Sequence, residues 1–131
     1  MTGDIAFEID RGAVPHTGPT SQLKIYAAGG WTYSSADKDG VAGLSGQGCL
    51  DDKTLAHIRA LVASAAWTST DVIHCMIASN ASTTYLANGK VLFTDRVCNS
   101  QKLDEKSEQA LAELNRITAT LRPAKAPCCK P

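Results

Sequence analysis

The sequence lacks both an excess of charge of one sign and a long apolar run. Thirteen Lys and Arg residues balance thirteen Asp and Glu residues, so the formal net charge is zero. A neutral chain has no long-range field that would attract phosphate backbones or anionic lipids. No stretch approaches the ~20 apolar residues of a membrane-spanning helix. We therefore expect neither nucleic acid nor a membrane as partner.

The N-terminus lacks a secretion signal, because Met1 to Asp4 has neither the charged nor the apolar region of a leader. The sequence as it stands predicts a cytoplasmic protein, although an exported chain trimmed of its leader would look the same. A length of 131 residues with 44% hydrophobic composition suits one compact domain. We predict a single domain over residues 1–122 and a Pro- and Cys-rich tail over residues 123–131.

No diagnostic catalytic motif and no complete set of metal ligands is found. Gly43 to Gly48 precedes a helix but lacks the Lys and Ser or Thr of a phosphate loop. Ser35 to Gly40 opens like a calcium loop, yet its twelfth position is Gly46 rather than an acid. Adjacent His74 and Cys75 would point to opposite faces of a strand and could not form a thiolate–imidazole pair. We therefore expect a non-enzymatic protein without cofactor or metal.

Five cysteines are more than a cytosolic protein of this size usually carries, yet an odd number for a closed disulfide framework. Cys128 and Cys129 lie in the tail, and we predict that at least one of them is bonded to the body of the domain under oxidising conditions. The other disulfide candidates are Cys49 and Cys98. Cys98 also supports an alternative, a small thiol-dependent enzyme, because a thiol near the N-terminus of the second helix would be reactive.

Period-2 alternation predicts strands in the first part of the chain. Ile5 to Ile9 alternates large apolar residues with small or acidic ones, and the pattern resumes from Leu23 to Ala27. Gly29-Gly30 then turns the chain into a strand that begins at Trp31, so a first hairpin is expected. The Gly-rich segment that follows has its best strand signal at Val41 to Leu44.

The stretch from Asp71 to Cys98 carries the strongest turn signal. Asn88-Gly89 lies between two β-rich runs and is typical of a two-residue type I′ turn, which predicts a hairpin. Val72 to Ala78 is a third β-rich run, and we expect it to fold back beside the hairpin. The three strands would then form an antiparallel meander.

The hairpin turn also predicts which side chains share a face of the sheet. Leu86 would lie opposite Val91, with Thr84 and Phe93 on the same, core-facing side. The other side would be open, and its apolar patch with a basic edge is expected to bind an extended peptide. The predicted peptide-binding residues are Tyr85, Leu92, Arg96, His74 and Met76.

Two amphipathic helices are predicted, at Asp51 to Ala66 and Asp104 to Arg122. Asp51 is a good N-cap residue, and the same kind of helix start recurs at Leu103 to Ser107. Pro123 ends the second helix. The expected fold class is α+β, with a mainly antiparallel sheet of five or six strands, two helices packed on one face, and a strand-strand-helix unit that could be duplicated.

The order of these elements resembles two groups of small proteins. Leu23 to Tyr26 (LKIY) and Gly29 to Trp31 (GGW) precede the first helix, and a meander and the second helix follow. This order resembles emfourin, an inhibitor of thermolysin-type proteases, and the peptide-binding proteins of crocagin-type pathways, which make a modified ribosomal peptide. The likeness spans roughly Leu23 to Leu121. It implies a non-enzymatic module that holds a peptide or a protein, and it assigns no functional residue.

The function expected on these grounds is to hold a precursor peptide for modification in natural-product (RiPP) biosynthesis. An emfourin-like inhibitor of a metalloprotease is the alternative. An exposed sheet edge could also pair one copy of the chain with another as a homodimer.

Overall fold

The computed structural model describes residues 4–13, 20–37, 41–71, 81–96 and 101–121. Within these ranges, each helix follows four strands. The first half contains β1 (Ile5–Ala13), β2 (Thr20–Tyr26), β3 (Gly30–Ala36), β4 (Ala42–Cys49) and α1 (Asp52–Ser64). The second half contains β5 (Ser69–Asp71), β6 (Ala81–Ala87), β7 (Lys90–Arg96), β8 (Gln101–Leu103) and α2 (Glu105–Ala119).

The strands form a six-stranded antiparallel sheet in the order β4-β3-β2-β1-β6-β7, and β5 pairs separately with β8. The predicted α+β class with a mainly antiparallel sheet is confirmed. The predicted meander is wrong in one respect, because β6 pairs with β1 and β7 and has no side left for the run at residues 72–78. That run itself lies outside the described residues. β1 takes the position beside β6 because Ile9 then lies opposite Tyr85 and extends one apolar row.

The turn between β6 and β7 forms at the predicted residues. Asn88 and Gly89 have φ values of 52° and 78°, the positive values that a type I′ turn requires at both positions. A Cβ at Gly89 would meet nothing within 4 Å, so the glycine serves the backbone conformation and not a close contact. The predicted hairpin is confirmed.

A bulge directly after this turn changes the faces of the two strands. Leu86 lies opposite Val91 as predicted, but Tyr85 lies opposite Phe93, so that Leu92 is an additional residue in β7. One extra residue reverses the alternation of a strand relative to its partner. Tyr85 and Phe93 therefore share the core side, while Val91 is 54% exposed. The predicted assignment of faces in this hairpin is wrong for that reason.

The core lies between one face of the six-stranded sheet and the two helices. Tyr85 is at its centre, stacked between Phe7 and Phe93 with ring centroids 6.4 Å apart on both sides. α1 contributes Ile58 to this core. The other large buried residues of the same cluster are Ile9, Leu23, Ile25, Trp31, Leu50, Leu103, Leu114 and Ile117. No helix in the described ranges is long and apolar enough to cross a membrane.

Both helices begin at the predicted cap residues. Asp51 accepts a hydrogen bond from the Thr54 N–H at 2.6 Å, and Asp104 accepts one from the Ser107 N–H at 3.2 Å. Hydrogen bonds from these partners hold the pKa of both carboxyl groups below the ordinary value. The helices end a few residues before the predicted limits.

The connection from α1 to β5 holds the two helices together. Trp67 adopts a φ of 56°, in the left-handed region that bulky residues seldom occupy. Its backbone N–H donates to Ser107 Oγ at 2.9 Å, and its indole N–H donates to the Val62 carbonyl at 2.9 Å. The Thr68 hydroxyl donates to Asp104 at 2.9 Å. These bonds tie the end of α1 to the first turn of α2 and so set where α2 lies on the sheet.

The bulged register predicts a large loss of stability for one substitution on β7 and almost none for another. Phe93→Ala should lower the free energy of unfolding by ~3–5 kcal/mol, because it removes a buried ring that stacks on Tyr85. Val91→Ala should change it by less than about 0.5 kcal/mol, because that side chain is mostly exposed. Urea denaturation followed by tryptophan fluorescence measures both. Equal losses in the two variants would contradict the register.

Candidate functional site

A cleft of about 420 Å³ remains between the C-terminal half of α2 and the sheet. We call it the aromatic cleft, because the rings of Trp31 and Tyr33 form part of its wall. Trp31 and Tyr33 are two residues apart on β3 and therefore lie on the same face. The cleft is lined by Ile9, Arg11, Leu23, Trp31, Tyr33 and Ser45 from the sheet side, and by Asn115, Thr118, Ala119 and Leu121 from the end of α2.

The aromatic cleft follows one cross-strand row of the sheet. Tyr33 pairs with Leu23, which pairs with Ile9, so these three side chains stand side by side across β3, β2 and β1. Gly46 on the edge strand β4 pairs with Tyr33 and ends the row, and its neighbour Ser45 borders the cleft. Arg11 lies two residues beyond Ile9 on the same face of β1. A ligand in the cleft would thus lie across the strands, between an open edge of the sheet and a guanidinium group.

A glycine on the edge strand allows Trp31 to lie in this position. Gly48 pairs with Trp31, and a Cβ built on Gly48 would stand 2.8 Å from Cζ2 of the indole ring. That distance is shorter than any normal carbon contact, so any larger residue would displace the ring or the strand. Trp31 is only 3% exposed, and its ring is therefore a fixed wall of the cleft.

The polar groups of the aromatic cleft are few and partly held in place. Asn115 is half-buried on α2, and its Nδ2 lies 3.3 Å from the hydroxyl of Tyr85. Arg11 has an exposed side chain and is the one charged residue in the lining. Apolar walls with a few converging polar groups are the usual features of a ligand site. Among the described residues, no group of three His, Cys, Asp or Glu side chains could hold a metal ion.

The opposite face of the sheet is polar and not the apolar patch that we predicted. Glu8 and Asp10 lie on this face of β1, and Gln22 donates to Glu8 Oε2 at 3.1 Å. Burial is the main reason why the pKa of Glu8 is raised to about 7. The neighbouring Asp10 carboxyl raises it further, while the positive charge of Lys24 opposes the shift. Oδ1 of Asp10 is buried and has no hydrogen-bond partner in the described part of the chain. A proton shared between Glu8 and Asp10 would give this oxygen a hydrogen-bond partner.

The structure separates the residues that we predicted to bind peptide. The open position expected for Tyr85 and Leu92 is wrong, because the bulge turns Tyr85 into the core, where it is 5% exposed, and packs Leu92 against that core. The backbone of Arg96 ends β7 opposite Ser82, on the strand at the edge of the sheet. The other two predicted residues, His74 and Met76, lie outside the described residues. Tyr85 still reaches the aromatic cleft indirectly, through its hydrogen bond with Asn115.

Of the predicted disulfide candidates, only Cys49 falls within the described ranges. It is the last residue of β4 and is half-buried. Cys98, Cys128 and Cys129 lie outside those ranges, so a disulfide to the tail stays a prediction.

The residues of the aromatic cleft were missed because no motif marks them. One signal in the sequence could have indicated them. Asn115 and Thr118 are polar residues on the side of α2 that also carries Leu111 and Leu114, where an uninterrupted apolar stripe would be expected. Half-buried polar residues beside a core stripe indicate a place where the helix leaves the sheet uncovered.

Comparisons of the chain with protein-family models, with curated proteins and with solved structures find no match. The resemblance to emfourin and to the crocagin-type peptide-binding proteins therefore stays an expectation from the sequence.

Two glycines on β4 test the packing of the cleft wall. Gly48→Ala should lower the free energy of unfolding by ~1–3 kcal/mol and shift the Trp31 fluorescence, because the new methyl group overlaps the indole ring. Gly43→Ala is the matched control, since Gly43 is exposed and its Cβ would meet the single side-chain oxygen of Ser35 at 2.9 Å and not a buried ring. Similar effects of both changes on stability and fluorescence would contradict a tightly packed Trp31.

The carboxyl pair on the polar face predicts a pH dependence. The pKa of Glu8 is about 7 in the folded protein against an ordinary value of 4.5, so the folded state binds this proton more tightly. The stability that the proton contributes is fully present below pH 4.5 and is lost as the pH rises through about 7. Glu8→Gln keeps the side chain neutral and should therefore be more stable than wild type at pH 8, with the difference shrinking towards pH 4.5.

Urea denaturation over that pH range measures the effect, and Asp95→Asn on the exposed part of β7 is the control for removing a carboxyl group. A Glu8→Gln protein with the wild-type dependence on pH would show that Glu8 does not take up a proton in the folded state.

Proposed function

We propose that this protein is a non-catalytic module that binds a peptide segment of its partner, and that the aromatic cleft is the binding site. The observation that carries the proposal is the cleft itself, in which the rings of Trp31 and Tyr33 adjoin the polar groups of Asn115 and Arg11. Its volume of about 420 Å³ lies within the usual range for sites that take a drug-sized ligand. That size matches a few side chains of a peptide.

The walls of the cleft favour a peptide with a large apolar side chain. Tyr33 is half-buried and packs against the core, so one side of its ring is supported. An aromatic or aliphatic side chain that covers the other side gains burial without a rearrangement of the protein. The amide of Asn115, held by Tyr85, can both donate to and accept from a peptide backbone.

The edge of the sheet gives the rest of a peptide a place to bind. In the described part of the chain, β4 has a strand neighbour on one side only, and its residue Ser45 lies in the mouth of the cleft. A segment that leaves the cleft at this edge could pair with β4 through backbone hydrogen bonds. An edge strand also allows two copies of the chain to pair, which is the homodimer that we expected from the sequence.

The resemblance to the crocagin-type proteins makes a precursor peptide the first candidate partner, held for modification by another protein. Inhibition of a metalloprotease, the emfourin-like alternative, would place a folded protein and not a peptide on this site. Recovery of a metalloprotease as the native partner would move the function to that alternative.

Selection from a library of random peptides tests the proposal, followed by calorimetry with the synthetic peptide that is selected. Tyr33→Ala should weaken binding at least about tenfold, because it removes an aromatic wall of the cleft. Leu86→Ala, on the opposite face of the sheet, is the control and should leave the affinity unchanged. Circular dichroism checks that both variants fold. Failure to select any peptide, or equal affinity in the two variants, would contradict the cleft as the site.

A further inference from the structure

In the described part of the chain, the cation of the aromatic cleft has no counter-charge. Arg11 makes no ion pair with any residue in the described ranges. The other two arginines with described side chains are engaged, since Arg59 donates to the Ala27 carbonyl at 2.6 Å and Arg116 pairs with Glu113. A guanidinium group beside apolar walls is therefore available to a ligand.

Most of the acidic residues of the sequence lie in the described ranges. Of the thirteen Asp and Glu residues, Asp39 lies outside the described ranges, and the structure describes only the backbone of Asp71. The segment that follows α2, residues 122–131, contains Arg122, Lys125 and Lys130 and no acidic residue. A carboxylate on the ligand would complement the charge of Arg11.

The geometry of the cleft indicates which carboxylate this is. A guanidinium group matches a carboxylate with two parallel hydrogen bonds. Arg11 lies at the end of the row formed by Tyr33, Leu23 and Ile9, while the other end opens at the edge strand β4. A cleft of about 420 Å³ has room for the last few residues of a peptide chain.

We propose that the aromatic cleft binds the C-terminus of a peptide, with the α-carboxylate on Arg11 and a large apolar side chain against Trp31 and Tyr33. The proposal rests on the function proposed above and names the ligand class of the same site. Capture of a C-terminal carboxylate is a known mode of peptide recognition.

The two tryptophans provide a site probe and an internal control. Trp31 lines the cleft, whereas the indole N–H of Trp67 donates to the Val62 carbonyl elsewhere in the fold. The experiment is an NMR titration of the ¹⁵N-labelled protein with N-acetylated Gly-Gly-Ala-Phe as the free acid and as the C-terminal amide. A third peptide, acetyl-Gly-Asp-Ala-Phe amide, moves the carboxylate to a side chain. Trp67→Phe assigns the two indole signals.

The free acid should move the Trp31 signal and leave that of Trp67 in place, and it should bind at least tenfold more tightly than the amide. Arg11→Gln should remove this difference, and Lys90→Gln, which removes one positive charge at the exposed hairpin turn, should keep it. Equal affinity of acid and amide would overturn the C-terminal assignment while the cleft remains a peptide site. Equal affinity of the acid and the Asp-containing amide would assign Arg11 to acidic side chains instead. If no peptide moved the Trp31 signal, the proposed function itself would be contradicted.

Discussion

The stack of Tyr85 between Phe7 and Phe93 is the interaction on which the rest of the structure depends. It joins β1 to the hairpin of β6 and β7, which lies far from β1 in the chain, and it places all three rings under the helices. The stack requires the extra residue in β7, because a regular hairpin would direct Phe93 away from Tyr85. The hydroxyl of Tyr85 then meets Asn115, so the same residue also connects the sheet to the α2 side of the cleft.

The two faces of the sheet differ in polarity, and the proposed binding site lies on the face that the helices cover. The face with Glu8, Asp10 and Gln22 is polar, and its carboxyl pair makes the sheet sensitive to pH. The other face is covered by α1 and α2. Where α2 ends, a cleft remains whose wall includes the buried Trp31 and the half-buried Tyr33. The hydrogen bond from Trp67 to Ser107 holds α2 in place, and it therefore also sets the position of the cleft.

Local signals in the sequence predict most of the elements but not the site. The caps at Asp51 and Asp104 and the Asn88-Gly89 turn are formed by neighbours in the chain, and they were predicted correctly. The bulge at Leu92 arises from long-range packing of Tyr85 on β1, which no local pattern shows. Because alternation has a period of two, that one residue moved the predicted binding surface to the wrong face. The cleft was missed because it depends on where α2 ends over the sheet, which is also set by long-range packing.

The central claim is that a ligand's apolar side chain lies against the aromatic wall at the end of α2. Intermolecular nuclear Overhauser effects between a bound peptide and the protein test this claim most directly. The account predicts contacts from the peptide's apolar side chain to the ring protons of Trp31 and Tyr33. Contacts to Leu86 on the polar face, or to Val91 on the far edge strand, without any to the two rings would contradict it.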